Sequence, residues 1–251
     1  MADSLALAMV ALAEPKLPDA SLVTERLKTL WPECPPVAQA DTKNDGTQFQ
    51  VGTAVANYAL MPAPIPWKEL EGPCQTAWWW REAGPFLKGH KAHLIVAVGD
   101  PKGDPIGRCL LLTRLIAALL ENLPASAVYW GAAGLVYPTD LFLEQASDIT
   151  RELLPLNLWI DFRIAKGSEG GLTGFTSGLA SLGHMELEVD QAQVEPAHLR
   201  DRLYNIAHYV LDHGPVLKDG ETIGLSADER IKIHHRKSRF DQRGMVIKLE
   251  F

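Results

Sequence analysis

The sequence lacks the signatures of several common protein classes. Its three cysteines are an odd number without C-x-x-C spacing, which argues against a disulfide framework and a cysteine zinc site. No apolar run reaches the length of a membrane span, and no serine stands in a G-x-S-x-G elbow. The glycine-rich stretches lack the Walker lysine and the glycine order of nucleotide-binding loops. A reducing cytoplasm is the simplest compartment for such a chain.

Basic residues are also fewer than acidic ones. The chain has 24 Lys and Arg against 31 Asp and Glu, which gives a formal net charge of −7. A general nucleic-acid binder or an anionic-membrane binder needs a basic face, so this balance argues against both functions. A basic protein partner suits the charge better.

The apolar pattern predicts an α+β (mixed α/β) protein. Leu5–Leu12 is apolar on both alternating faces and has no basic residues before it, which indicates a central strand covered on both sides rather than a signal peptide. Strand–helix–strand–strand order occurs near the start and again near the end of the chain. We therefore expect an extended mixed or antiparallel sheet packed with helices. It would form one domain over residues 1–251, within which 1–89 and 90–251 are candidate similar halves.

Individual elements follow from the same periodicities. The apolar patterns predict strands over 93–98, 158–164 and 183–190, and helices over 106–123 and 139–153. The glycine-rich stretch 167–178 is expected to be a loop.

Three prolines within Met61–Trp67 fix the backbone φ angle and force the residue before each proline into an extended conformation. The segment is therefore a stiff, extended connector that ends on a large aromatic side chain. His90 and His93 precede and begin the next strand. Residues three apart on a strand point to opposite faces, so we interpret these histidines as polar caps of the strand entrance.

Trp78, Trp79 and Trp80 form an unusual aromatic triplet. On a helix, three successive residues would sweep about 200° of the surface, so one core-facing stripe cannot bury all three. At least one indole is expected at a groove or a partner surface, where tryptophan is a frequent energetic anchor. Trp79 and Trp80 are our candidates for partner binding.

His184, Glu186 and Glu188 alternate along the strand predicted for 183–190. On one strand face they could place three ligands around a divalent metal. The preferred alternative is a cross-strand charge ladder with the basic residues of the last two strands, Lys232, His234, Arg236 and Lys248. In that interpretation Glu186 and Glu188 are candidates for contact with a basic partner.

Two further segments contribute partner-binding candidates. Asp219 and Glu221 flank an Asp-Gly turn signal; they could form an acid/base pair, but no nucleophile is fixed near them, so we interpret them as part of a structured turn. Glu169 and Phe175 lie in the glycine-rich stretch 167–178, whose amides and hydroxyls could hold an anion. A loop or binding edge without phosphate chemistry is the favoured interpretation.

Several segments together resemble a known family, and each one alone is weak. They are Met61–Trp67, His90–Val96, Val128–Gly131, Leu158–Asp161, Thr176–Leu179, Leu182–Glu188 and Lys218–Gly224. In combination they resemble domain of unknown function 4261, a bacterial family, over nearly the whole chain. This resemblance implies no catalytic residues. The chain is also similar to an immunity protein paired with a type VI secretion nuclease effector, which implies a protein that binds a toxin.

We therefore expect a non-enzymatic, cytoplasmic immunity protein without a cofactor. Its partner would be a cognate toxin or effector, basic in charge, and it would contact neither nucleic acid nor membrane. Two alternatives stay open. One is a metal-assisted hydrolase that uses His184, Glu186 and Glu188, and the other is an adaptor module of a secretion system.

Overall fold

The computed structural model describes residues 5–43, 45–167, 170–224, 229–240 and 244–251. The chain divides into two compact units, an N-terminal unit that ends at Trp159 and a C-terminal unit that begins at Ile160. Each unit combines a sheet with helices, which confirms the predicted α+β class. The expectation of a single domain over 1–251, with halves 1–89 and 90–251, stays a prediction.

The N-terminal unit is built on an antiparallel sheet. Its strands are β1 Leu5–Leu12, β2 Val37–Lys43, β3 Gly46–Val51, β4 Ala54–Met61, β5 Ala92–Gly99, β6 Ala125–Trp130 and β7 Leu135–Pro138. Its helices are α1 Ala20–Leu30, α2 Trp67–Thr76, α3 Ala83–Leu87, α4 Pro105–Leu120, α5 Thr139–Ala146 and α6 Leu156–Trp159. The strand order is β2-β3-β4-β5-β1-β6-β7.

The helix α4 forms the core on one face of this sheet. Asp104 caps its N-terminus by accepting the Gly107 N–H, and its apolar residues are buried nearly all round, as expected of a central helix. It packs against β1 and β5, whose alternate residues such as Val10 are fully buried. Deeper in the core, the Trp159 indole donates a hydrogen bond to Thr113 at 2.9 Å. In the parts of the chain that the structure describes, no helix is long and apolar enough to cross a membrane.

The C-terminal unit consists of a second sheet and one long helix. Its elements are β8 Asp161–Lys166, β9 Leu172–Ser177, β10 Leu187–Ala192, α7 Pro196–His213, β11 Thr222–Ile223, β12 Ile231–Lys237 and β13 Met245–Glu250. The strand order is β11-β12-β13-β10-β9-β8, and all pairs are antiparallel except β10 with β13. The helix α7 packs on β8, β9 and β10. The strand–helix–strand–strand order thus occurs in both units. The pairing of the first strand differs, because β1 pairs with β5 and β6, whereas β10 pairs with β9 and β13.

Five predicted elements differ from the structure by more than one residue. The helix expected over 106–123 ends at Leu120, where a turn follows. The helix expected over 139–153 ends at Ala146, and the Thr150 hydroxyl then closes a turn by accepting the Leu153 N–H. The strand expected over 158–164 starts at residue 161, because α6 occupies the preceding positions. The strand expected over 183–190 starts at residue 187, because left-handed Gly183 (φ 87°) ends a 3₁₀ turn there. The glycine-rich stretch 167–178 is a strand, β9, over its second half.

Close packing explains Gly174 within β9 and Gly171 just before it. A Cβ atom at Gly174 would lie 3.1 Å from the Leu203 side chain of α7. A Cβ at Gly171 would lie 2.7 Å from the backbone of Gln191, which itself has a left-handed φ of 58°. Larger residues at either position would force the helix or the neighbouring strand away.

Candidate protein-binding surface

The three tryptophans lie at different depths in the turn that follows α2. Because α2 ends at Thr76, they are not on a helix. Trp78 is 71% exposed, whereas Trp79 and Trp80 are half-buried and pack against a hydrophobic cluster of the N-terminal unit. One indole is thus exposed to solvent, and the expectation that it lies at a partner surface stays a prediction. The most exposed indole is Trp78, while the candidates Trp79 and Trp80 form its base.

The base is fixed in position by Trp79. Its indole N–H donates to the Val136 carbonyl at 3.2 Å, and its ring stacks on Tyr137 with centroids 5.4 Å apart. Trp78 contacts the Trp79 ring edge-on, at a centroid distance of 5.7 Å and an interplanar angle of 84°. The exposed indole therefore rests on a rigid, hydrogen-bonded support.

Trp80 extends this surface toward α3. Its ring packs edge-on against Phe86 at a centroid distance of 5.4 Å, and Phe86 is 52% exposed. We term Trp78, Trp79, Trp80 and Phe86 the aromatic corner. Two large aromatic side chains that face solvent on an ordered base are typical of an interaction surface.

A second apolar surface lies on the sheet face that α2 and α3 cover in part. These helices pack over β6 and β7, above Ala11 of β1. Leu7 and Leu5 alternate with Ala11 on the same face but are 36% and 50% exposed. The expectation that β1 is covered on both sides is therefore wrong for its first half. We term the apolar residues Leu5, Leu7, Met9, Val55 and Ile95 of this surface the open sheet face; by strand register the half-buried Asn57 and the buried Ala97 lie among them.

Two histidines hold the connector predicted for Met61–Trp67. The Ile65 N–H donates to His90 Nε2 at 2.7 Å, and His93 Nδ1 donates to the Ala63 carbonyl at 2.7 Å. Both imidazoles are 6% exposed. Burial lowers the pKa of His93 below its ordinary value, against the opposing effect of the hydrogen bond to Ala63. The two histidines lie at the strand entrance as interpreted, but the expectation that they point to opposite faces is wrong, because His90 precedes β5 and both imidazoles bind the same connector.

Glu186 and Glu188, two of the partner-binding candidates, are buried at 6% and 3% exposure. Glu186 accepts hydrogen bonds from the Thr176 hydroxyl (2.7 Å), the Gly178 N–H (2.8 Å) and the Ala180 N–H (3.0 Å). Glu188 accepts from the Ser238 hydroxyl and the Arg239 N–H. In the free chain both carboxylates thus fasten neighbouring turns. Their role as direct partner contacts stays a prediction.

The interpretation of His184, Glu186 and Glu188 as metal ligands on one strand face is not supported by the geometry. Because β10 begins at Leu187, only Glu188 of the three lies within the strand, and both carboxylates are directed to hydrogen-bond donors of the protein. Burial lowers the pKa of His184. Across the described ranges, no group of three or more His, Cys, Asp or Glu residues is arranged to hold a metal ion.

The predicted charge ladder is present in part: Glu188 is opposite Lys248 in the register of β10 and β13, whereas Glu186 lies before the strand. His234 Nε2 lies 3.2 Å from Glu250 on the adjoining strand, and Lys248 Nζ lies 3.9 Å from Asp190. Lys232 is opposite Glu250 in the register of β12 and β13. The ladder of opposite charges is thus formed by the last two strands together with Glu188 and Asp190 of β10.

The remaining candidates occupy separate places in the C-terminal unit. Asp219 and Glu221 are exposed and form the predicted turn: Asp219 accepts the His235 N–H at 2.8 Å and Glu221 accepts the Lys218 N–H at 3.0 Å. Phe175 is half-buried, and its ring stacks on Phe240 at 5.2 Å. Glu169 lies outside the described residues.

A polar cleft of about 370 Å³ opens at the end of β8 and β10. Lys166, Asp190, Gln191, Arg239 and Phe240 are among its lining residues. The Asp190 carboxylate is paired with the Arg239 guanidinium. Among the described lining residues there is no histidine, cysteine or serine; the potential nucleophiles are the Thr173 hydroxyl and the Lys166 amine, and the Asp190 carboxylate is already paired with Arg239.

The sequence reasoning missed parts of the aromatic corner and all of the open sheet face. Phe86 belongs to a short helix whose sequence has no clear apolar periodicity. Its exposure depends on the position of the Trp80 ring, against which it packs. Leu5 and Leu7 belong to a strand as apolar as a buried one, so the sequence does not indicate that they are exposed. A signal was available only in the Trp78–Trp80 triplet, which indicated an exposed indole without saying which.

Comparison with known proteins supports the family resemblance in one part of the chain. Residues 175–250 match the model of the family described as domain of unknown function 4261. The matched segment contains Glu186, Glu188 and the Asp219–Glu221 turn; it does not include the aromatic corner. Over the rest of the chain the resemblance stays a prediction. No curated protein and no solved structure matches this chain.

Proposed function

We propose that this chain is a cytoplasmic immunity protein that binds a secreted bacterial toxin, a type VI secretion nuclease, and occludes its active site. The observation that carries the proposal is the aromatic corner. Trp78 is 71% exposed on a base that Trp79 fixes by a hydrogen bond and a ring stack. Tryptophans that are pre-ordered in this way are frequent energetic hot spots of protein interfaces.

The net charge supports a basic protein as the partner. A nuclease must present a basic face to its nucleic-acid substrate, and a chain with a formal charge of −7 attracts such a face over several ångströms. Long-range attraction of this kind mainly speeds the encounter and weakens with salt. Burial of the aromatic corner would then slow dissociation.

The mechanism is steric and requires no bond to be made or broken. The bound chain would stand where the nucleic acid enters and exclude it from the toxin's active site. The open sheet face adds apolar area to the aromatic corner within the same unit. A partner that covered both surfaces would bury apolar side chains, as in the centre of stable interfaces.

Co-expression with the toxin encoded by a neighbouring gene tests the proposal. The chain is expected to restore growth and to co-purify with the toxin, less well at high salt. A Trp78→Ala variant should lose rescue, while Leu153→Ala, which removes another exposed apolar side chain (60% exposed), should retain it. Failure of the wild-type chain to rescue growth against any neighbouring toxin would contradict the proposal, and stoichiometric zinc or manganese in the purified protein would favour a hydrolase instead.

A further inference from the structure

The hydrogen bonds of His90 require a neutral imidazole with one defined tautomer. Its Nε2 accepts the Ile65 N–H at 2.7 Å, so that nitrogen carries no proton. Its Nδ1 lies against the Leu87 carbonyl, which can only accept, so the proton is on Nδ1. Protonation of Nε2 would set two donors, the imidazole N–H and the Ile65 N–H, against each other.

His93 imposes the same requirement by burial. Its Nδ1 donates to the Ala63 carbonyl at 2.7 Å, and the side chain is 6% exposed. A second proton on Nε2 would place a positive charge in an apolar environment, which is costly without a paired carboxylate.

The surrounding elements offer little to stabilise that charge. β1, β4 and β6 contain no charged residue, and the titratable neighbour that acts on the pKa of His93 is the histidine His90. The charged side chains of α2 and of the loop before β5 are exposed; they are Lys68, Glu69, Glu71, Lys88 and Lys91. The other titratable groups packed on this side are Cys74 and Tyr129.

The connector that these histidines hold also supports the aromatic corner. Ile65 is 2% exposed and belongs to the hydrophobic cluster against which Trp67, Trp79 and Trp80 pack. Displacement of Ile65 would therefore remove part of the base of these three indoles.

We infer that His90 and His93 form a pH-sensitive clasp: neutral, they hold the connector Met61–Trp67 in place, and protonated, they release it and loosen the aromatic corner. The clasp is a property of the fold. Only its consequence for partner binding, which would weaken in mild acid, rests on the proposed function.

The direction of the pH effect follows from the pKa of His93. A histidine in an unfolded chain has a pKa of about 6.5, and the pKa of His93 is lower in the folded chain. The stability that its neutral form contributes is complete above pH 6.5 and is lost as the pH falls toward the folded pKa. Consider one imidazole that is neutral whenever the clasp is closed and that has the ordinary pKa of about 6.5 when the clasp is released. Lowering the pH from 8 to 5 then raises the equilibrium constant for release by up to about 30-fold.

Amide exchange of Ile65 and the histidine tautomers, both measured by NMR, test the clasp in the wild-type chain. We expect the Nδ1–H tautomer for His90 and His93 at pH 8. Between pH 8 and pH 5 the protection factor of the Ile65 amide should fall at least tenfold, together with a red shift of the tryptophan fluorescence. An Nε2–H tautomer at His90, or an unchanged protection factor at pH 5, would overturn the inference.

The double variant His90→Gln, His93→Gln provides the control, because glutamine keeps a neutral polar group that does not titrate. If it folds, as judged by circular dichroism, its Ile65 protection should vary less than threefold over the same range. A titration equal to that of the wild type would overturn the inference. If the variant does not fold, the wild-type tautomers and Ile65 exchange decide the question. Loss of toxin binding in mild acid with unchanged Ile65 protection would also count against the clasp, without affecting the proposed function.

Discussion

Replacing Glu186 with alanine removes the acceptor that fastens the turn after β9. Its carboxylate accepts three hydrogen bonds, and two of them come from groups in buried residues, the Thr176 hydroxyl and the Gly178 N–H. The third comes from Ala180, an exposed residue whose N–H can turn to water. The cost of the substitution therefore comes mainly from the two buried bonds.

The magnitude follows from those two bonds. A hydrogen bond to a charged group contributes about 1.5–3 kcal/mol, and a buried donor left without an acceptor costs about 1–3 kcal/mol. We expect Glu186→Ala to lower the free energy of unfolding of the C-terminal unit by about 3–5 kcal/mol, a large part of the stability of a typical domain. Glu186→Gln should cost less, because its amide oxygen still accepts one bond.

Urea denaturation read out by amide exchange in β9 and β10 measures this cost for the C-terminal unit. Glu195→Ala is the matched control, since Glu195 is exposed and makes no side-chain cap to α7; it should change the stability by less than about 0.5 kcal/mol. A loss below about 1 kcal/mol for Glu186→Ala would refute the reasoning, because the buried donors would then have found other acceptors.

Three further predictions concern the cores of the two units. Burial raises the pKa of the Cys109 thiol to about 12, so Cys109 should resist thiol reagents at pH 8 in the native protein and react once urea unfolds it; labelling at the rate of a free thiol would contradict its burial. Gly171→Ala should lower the melting temperature measured by calorimetry, because the new Cβ would meet the Gln191 backbone at 2.7 Å; an unchanged melting temperature would contradict this. Thr113→Val should cost about 1–3 kcal/mol in urea denaturation by leaving the buried Trp159 indole N–H without its acceptor, and a neutral effect would show that another acceptor replaces it.

Much of the fold could be predicted from local patterns. The first strand, the strand expected over 93–98 and the starts of the helices expected at residues 106 and 139 all lie within one residue of where the sequence placed them. Each of these signals depends on residues within one turn or one strand. The starts of β8 and β10 were wrong because a helical turn and a left-handed glycine, respectively, delay the strands.

The candidate site was harder to predict because exposure is decided by distant residues. Three indoles in a row indicated that one would be exposed, but the Val136 carbonyl and the Tyr137 ring decide that Trp79 is the anchored one. Likewise, an apolar strand face has the same composition whether a helix of the same chain covers it or not, so the exposure of Leu7 had no local signature.

Calorimetric titration of the toxin with the Trp78→Ala variant tests the central claim most directly. A hot-spot tryptophan contributes at least about 2 kcal/mol, so the Kd should rise at least about 30-fold relative to the Leu153→Ala control. The melting temperature of the free Trp78→Ala variant should stay close to that of the wild type, since the side chain is 71% exposed. Equal affinities of the two variants for the toxin would contradict the claim that this protein acts by gripping a partner through the aromatic corner.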